Sequence, residues 1–425
     1  MEDNCFSFNM SAGGYEQTFM DHCKALLLNN PSLTPQQCLH SMTLIQTYED
    51  NGAAQLPEVT HNPNFFSSEC GSVEIQLLKY VLPPLMLLCF FGNMLNLLIY
   101  SLSYFDGSSS VHFLRAKAIF NIIFVSSRLL EVIHAWSGEA NAWLEPLFWY
   151  TRSYIMTISN ICGTMSTWLT LMVTVETVMC VLLPFVFRQY CTKRLTWSFL
   201  CISLTLSTII HSTLVFTTQV SVHPKVSLYQ QHHGACWYLK EYYVLSKPEN
   251  PLYHLVRQAY FWVQNAMAIV IPTIAMLICS ILIVKQFTFK ELGEAFSTRR
   301  KCVIRMTVAT TVSHLLLEGP ATLTHAAAAI QGESSSKQDY LMCVLNHGNN
   351  LLSIVNATIP FFVFMLCNEQ FRHMTAMFIK AYMQTDKAQR KTYLSKAGMR
   401  CSRVSRSEQE RSFMESRLLT KSSNS

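Results

Sequence analysis

The stretch "STWLTLMVTVETVMCVLLPF", Ser166–Phe185, is an apolar run holding one carboxylate, Glu176, beside Thr177, with Pro184 two turns further on. The apolar segment that ends here begins near Trp149. It is longer than the roughly 20 residues a bilayer-crossing helix needs. Composition agrees with a membrane reading. Half of the 425 residues are hydrophobic and 14% are charged, against about 25% charged in an average soluble protein.

Working outward, apolar runs of spanning length recur at Leu77–Ser103, Phe113–Trp136, Trp149–Leu183, Trp197–Thr218, Tyr260–Phe287, Val303–Ala329 and Asp339–Leu366. The second carries Arg128 and Glu131, and the third is long enough to tilt or protrude. The expected fold is therefore all-α, a seven-transmembrane helix bundle. After the last span, "NEQFRHMTAMFIKAYM" sets Phe371, Met374, Phe378 and Met383 at helical spacing among basic residues, the pattern of a short amphipathic interfacial helix. Four segments result: 1–76, polar and cysteine-containing; 77–366, the bundle; 367–383, the interfacial helix; and 384–425, a basic, Ser-rich tail.

Charge placement orients the bundle. The loop after span three carries Arg188, Lys193 and Arg194. The loop after span five carries Lys285, Lys290, Arg299, Arg300, Lys301 and Arg305, and the loop after span one ends in Arg115 and Lys117. Lys24 is the only lysine or arginine from Met1 to Gln76, among acids including Asp3, Asp21, Glu49, Asp50, Glu58, Glu69 and Glu74. The positive-inside rule puts the amino end outside and the carboxyl end in the cytoplasm. "MEDNCFSF" is acidic and lacks an apolar core, so the first span is expected to act as the targeting signal. The net charge of +6 lies beside the membrane and suits an anionic leaflet; nucleic acid is not an expected partner.

Asn9-Met10-Ser11 is then an accessible glycosylation sequon. Asn356-Ala357-Thr358 also matches but lies in a span. Cys5, Cys23, Cys38 and Cys70 precede the first span and fit an oxidised outer segment. Their spacing matches no tight zinc pattern, and no metal or cofactor is expected. Nucleophile-elbow, zincin, phosphate-loop and dinucleotide motifs are absent, so no enzyme is expected. No internal repeat supports a transporter built from halves.

The motifs resemble those of rhodopsin-like G-protein-coupled receptors, and more narrowly the invertebrate FMRFamide-type neuropeptide receptors. Gly92-Asn93 in "GNMLNLLIY", the span-three end with "RQYCTKR", Pro272, Pro320 and "CNEQFR" carry the resemblance from about Leu77 to Met383. It implies a plasma-membrane receptor for an extracellular peptide, RFamide-like, that relays binding to a heterotrimeric G protein or arrestin. It also implies that Glu176-Thr177-Val178 stands where the family has an acid, an arginine and an aromatic. Thr177 has neither the charge nor the reach of that arginine. Glu176 is expected to sit at the membrane edge, to find another partner such as Lys193 or Arg194, or to be protonated.

Further departures follow the same comparison. Ser126 stands where the resemblance puts a sodium-anchoring acid, and Glu318 precedes Pro320 where it puts an aromatic. Pro360 in "IPFFVF" is one place early, and Arg152 is near the usual span-three cysteine. The resemblance implies a disulfide from Cys236 to an outer cysteine: Cys5, Cys23, Cys38, Cys70 or Cys343. These substitutions fall on switching parts, so a binding-only or arrestin-directed receptor is the alternative; a transporter or channel is a remote one.

Glu131 and Glu318 are the sharpest ligand candidates, because an intramembrane acid costs about 2.5–3.5 kcal/mol on insertion scales and is retained for a partner. A peptide arginine would supply one. The local alternatives are an i,i+3 pair of Glu131 with Arg128 and a hydrogen bond of Glu318 to His314. Trp262 and Gln264 at the head of span five and His347 in span seven are the other ligand candidates. Transducer and switch candidates are Glu176, Thr177, Arg188, Arg300, Arg305, Pro320 and Pro360.

Overall fold

The structure, a computed structural model, describes residues 6–7, 71–102, 109–137, 143–183, 190–231, 234–246, 251–289, 298–331 and 340–383. Most of the 1–76 and all of the 384–425 segments fall outside these residues.

Among the described residues seven long helices and one short one follow in chain order. α1 runs Gly71–Gln76, through a π-helical Leu77–Val81, into Leu82–Tyr100. α2 is Ser109–Ser127 continued by Leu129–Ser137. α3 is Leu144–Leu182 and α4 Lys193–Thr217. α5 runs Pro251–Gln264, a π segment Asn265–Val270, and Ile271–Phe289. α6 is Thr298–Gln331, α7 Tyr340–Cys367 and α8 Glu369–Tyr382. Six are long and apolar enough to cross a membrane. α6 falls short on hydropathy yet packs between α5 and α7. Its covered face tolerates His314 and Glu318, and its first turn is basic.

α3 is the central helix, touching α2, α4 and α5. One apolar cluster joins α1, α2, α3 and α7 around Cys89, Phe124, Val125 and Ile354. Another seals α8 against the bundle, with Tyr100, Phe364, Phe371 and Met374 interlocked. Asn368 caps α8, its side-chain oxygen accepting the Phe371 N–H at 3.0 Å. The expected amphipathic face is present in Phe371 and Met374, which are buried, whereas Met383 is exposed. Gly92 lets α1 approach α7, since a Cβ there would meet Phe361 at 3.2 Å.

Three local features depart from the expectation. First, α2 breaks at Arg128, where the N–H reaches back three residues to Val125. Ser127 bonds the Phe124 carbonyl at 2.7 Å, a competing contact of the kind that bends helices. Second, residues between α4 and α5 form a hairpin, β2 Gln219–Gln231 and β3 Gly234–Ser246, where a loop is expected. Strand β1, Phe6–Ser7, adds to β3 in the order β1-β3-β2. Third, Ser126 is exposed on the outside of α2. The α2 side chain that faces Asn93 is instead Asn121.

Candidate functional site

At mid-depth the helices are tied by polar side chains. Asn93 of α1 donates to the carbonyls of Cys89 at 2.9 Å and Ala357 at 3.0 Å. Asn121 of α2 donates to Asn93 Oδ1 at 2.9 Å and to the same Ala357 carbonyl at 3.1 Å. Pro360 is buried in α7 one turn along and withholds an N–H from that helix's ladder.

Beside this triad lies Lys117. Grouped by sequence with the loop cations, it is 7% exposed inside the bundle and donates to Thr170 Oγ1 of α3. Arg115 and Lys117 are two residues apart on a helix and so point about 200° apart. Arg115 turns to the Tyr100 carbonyl while Lys117 turns inward. The ammonium sits in the field of Glu318 and His314 of α6. Glu318 does not bond His314, as its spacing suggested. It accepts from Ser353 Oγ and Asn356 Nδ2 of α7, each at 3.1 Å. His314 Nδ1 meets Asn356 Nδ2 at 3.4 Å. The sequon asparagine Asn356 is therefore a bundle-interior donor. Lys117, Thr170, Glu318 and Asn356 join α2, α3, α6 and α7.

A second polar cluster lies toward the hairpin. Arg128 pairs with Glu131 at 3.0 Å, the i,i+3 pair, and also reaches Asn350 Oδ1 at 3.4 Å. Glu131 lies in the field of Arg152 and His347 as well. His347 pairs with Glu74 of α1 at 3.4 Å. Glu145 accepts from His134 and from Trp149 Nε1, each at 2.7 Å. Arg152 lies over Phe148 and Trp149, 5.1 and 5.2 Å from the ring centroids. Tyr150 meets Tyr243 edge-on and so joins α3 to β3.

The α3–α4–α5 wall is the third. His211 bonds Thr164 Oγ1 at 2.8 Å and Tyr260 Oη at 3.0 Å. The π segment of α5 disturbs the regular ladder, and Trp168 of α3 donates to the Met267 carbonyl at 2.8 Å. Gln264 and Asn265 are buried facing the bundle. Trp262 is 47% exposed, on the face of α5 opposite Arg257, Tyr260 and Gln264. Two positions from Gln264 is about 200° around the helix, so only one of that expected pair can point inward.

At the α8 end, Glu176 makes no ion pair among the described residues. It is 4% exposed, and neither carboxylate oxygen has a hydrogen-bond partner among the described residues. It faces Ser109 and Ser110 at the start of α2. Lys193 and Arg194 are exposed at the head of α4. Thr177 turns its hydroxyl back to the Val173 carbonyl at 2.7 Å, a bond within its own helix. Arg305 is exposed on α6, and Pro320 lies exposed within that helix. Arg188, Asn9, Cys5, Cys23, Cys38 and Cys70 lie outside the described residues, as do the side chains of Arg300, Cys236 and Cys343. The Cys236 backbone stands on β3 opposite Ser7 and Tyr229. Among the described residues no group of three His, Cys, Asp or Glu is placed to hold a metal.

Lys117 and Asn121 are the site residues that sequence reasoning missed. The signal available for Lys117 was its place two turns inside a helix whose neighbouring arginine already faced the loop. The family model described as serpentine type 7TM GPCR chemoreceptor Srw matches residues 81–381. A search of curated proteins finds no match to the chain.

Proposed function

The chain belongs to the serpentine seven-transmembrane Srw family of G-protein-coupled receptors, and on that premise we propose that it is a plasma-membrane receptor for an extracellular peptide. The amino end and the β-hairpin lie outside; the loop cations and α8 lie in the cytoplasm. Binding at the hairpin end shifts a packing equilibrium of the helices, and a heterotrimeric G protein or arrestin reads the change at the α8 end. Arg188, Arg300 and Arg305 are the proposed transducer contacts.

The observation that carries this reading is the Lys117–Thr170–Glu318–Asn356 network. It couples four helices at mid-depth, below the hairpin-end cluster and above the α8 end. Glu131, Glu318, Gln264 and His347 border the interior through which ligand contact would act. Glu131 and Glu318 already have partners within the bundle, so a peptide arginine would have to displace them. That favours peptides recognised by other chemistry over the RFamide class.

One observation favours the second reading, a binding-only or arrestin-directed receptor. Thr177 is satisfied by its own helix and offers a transducer no cation. The test is nucleotide exchange on a reconstituted G protein, run beside a peptide-library binding screen. Thr177→Arg supplies the missing fork next to an unpaired acid and is expected to raise basal or peptide-driven exchange several-fold. Peptide binding with no exchange in either form would establish the second reading.

A further inference from the structure

Among the described residues the hairpin-end cluster holds two guanidiniums, Arg128 and Arg152, and three carboxylates, Glu74, Glu131 and Glu145, and each carboxylate is engaged by a group other than Arg152. Arg128 holds the Glu131 carboxylate at 3.0 Å. Arg152, one helix away, feels the same carboxylate without closing an ion pair among the described residues. The remaining acids nearby are engaged: Glu74 by His347, and Glu145 by His134 and Trp149. Among the described residues Arg152 lies over the two ring faces, and its Nε is buried with no hydrogen-bond partner. Arg128 Nε is likewise buried and unpartnered. A guanidinium in a partly desolvated site, already oriented by two rings, is pre-organised for bidentate pairing with a planar anion. A guanidinium inside a membrane protein that closes no ion pair of its own is costly and is retained where a partner arrives.

We propose that Arg152, supported by Arg128, forms a carboxylate-recognition subsite at the hairpin end of the α2–α3–α7 interior, with Phe148 and Trp149 as its aromatic floor. The ligand presents a carboxylate there, from a peptide's free terminus or side chain or from a small organic acid. This specifies the ligand chemistry of the receptor reading and rests on it for the direction of access. It also reverses the polarity expected from the sequence, in which intramembrane acids were to receive a ligand cation.

The experiment uses the full chain in lipid nanodiscs and measures binding by calorimetry. One arm compares indole-3-acetate and benzoate with their neutral amides; the other compares a tetrapeptide pool with free carboxyl ends against the same pool amidated. Acid forms are expected to bind at least about tenfold tighter than amides, the value of one charge-assisted pair. The arm that shows the preference identifies the source. R152Q is expected to abolish it. R152K keeps the charge but loses the fork, so it is expected to weaken acid binding about threefold or more; it also decides the matter if R152Q does not fold. Equal binding of acid and amide, no binding of any acid, or full acid preference in R152K overturns the subsite. Acid preference without nucleotide exchange would overturn G-protein coupling in favour of the binding-only or arrestin-directed reading and leave the subsite standing. Exchange driven by ligands indifferent to R152K would do the opposite.

Discussion

Lys117 shows how much one side chain's rotation around a helix decides. Its ammonium is buried beside Thr170 and opposite Glu318, where removing either charge strands the other in a low-dielectric interior. Lys117→Met and Glu318→Gln should each lower thermal stability. The double variant should lose less than the sum, with a coupling of about 1 kcal/mol or more. Additivity within about 0.5 kcal/mol would show the two charges do not sense each other. At this scale legibility followed sequence distance. The Arg128–Glu131 pair was readable because i,i+3 neighbours share a helix face. Glu318's partners were not, because Ser353 and Asn356 belong to another helix. The exposure of Ser126 and the inward turn of Asn121 depend on where α2 meets α1, which no local pattern encodes.

At the scale of elements, the helices themselves were legible and their irregularities were not. Proline at 272 marks α5 as interrupted, but the π turn just before it is stabilised from outside, by Trp168 donating to the Met267 carbonyl. Trp168→Phe keeps the ring volume largely intact and strands that carbonyl. A loss of about 1–3 kcal/mol is expected, read as a lowered melting temperature; an unchanged melting temperature would mean the π turn is self-sufficient. The β2–β3 hairpin lies between spans four and five, where hydrophobic periodicity predicts no element. Its "QVSV" start alternates, but His223 and Pro224 interrupt the pattern, and Pro suits only an edge. β2 is such an edge, in the order β1-β3-β2. α8 was legible because its Asn368 cap and the Phe371–Met374 spacing are both local.

For the whole molecule, the arrangement across the membrane is the property to test. An epitope at the amino end should be accessible on intact cells, and one after Ser425 only after permeabilisation; the reverse result would falsify the proposed orientation. The Val303–Ala329 run counts as a span by its length, although α6 falls short on hydropathy, and its packing between α5 and α7 makes it part of the bundle. By itself the sequence determined the number of helices, their approximate ends and the amphipathic helix after the last span. All of these follow from period, length and composition, which the lipid solvent enforces residue by residue. Only the tertiary structure decided which polar groups meet: Lys117 with Thr170, Glu318 with α7, Asn121 with Asn93, and Arg152 with two rings and, among the described residues, no acid of its own. The physical reason is that a buried polar group is satisfied by whichever helix packs against it, and helix rotation and crossing are set by the packing of the entire bundle.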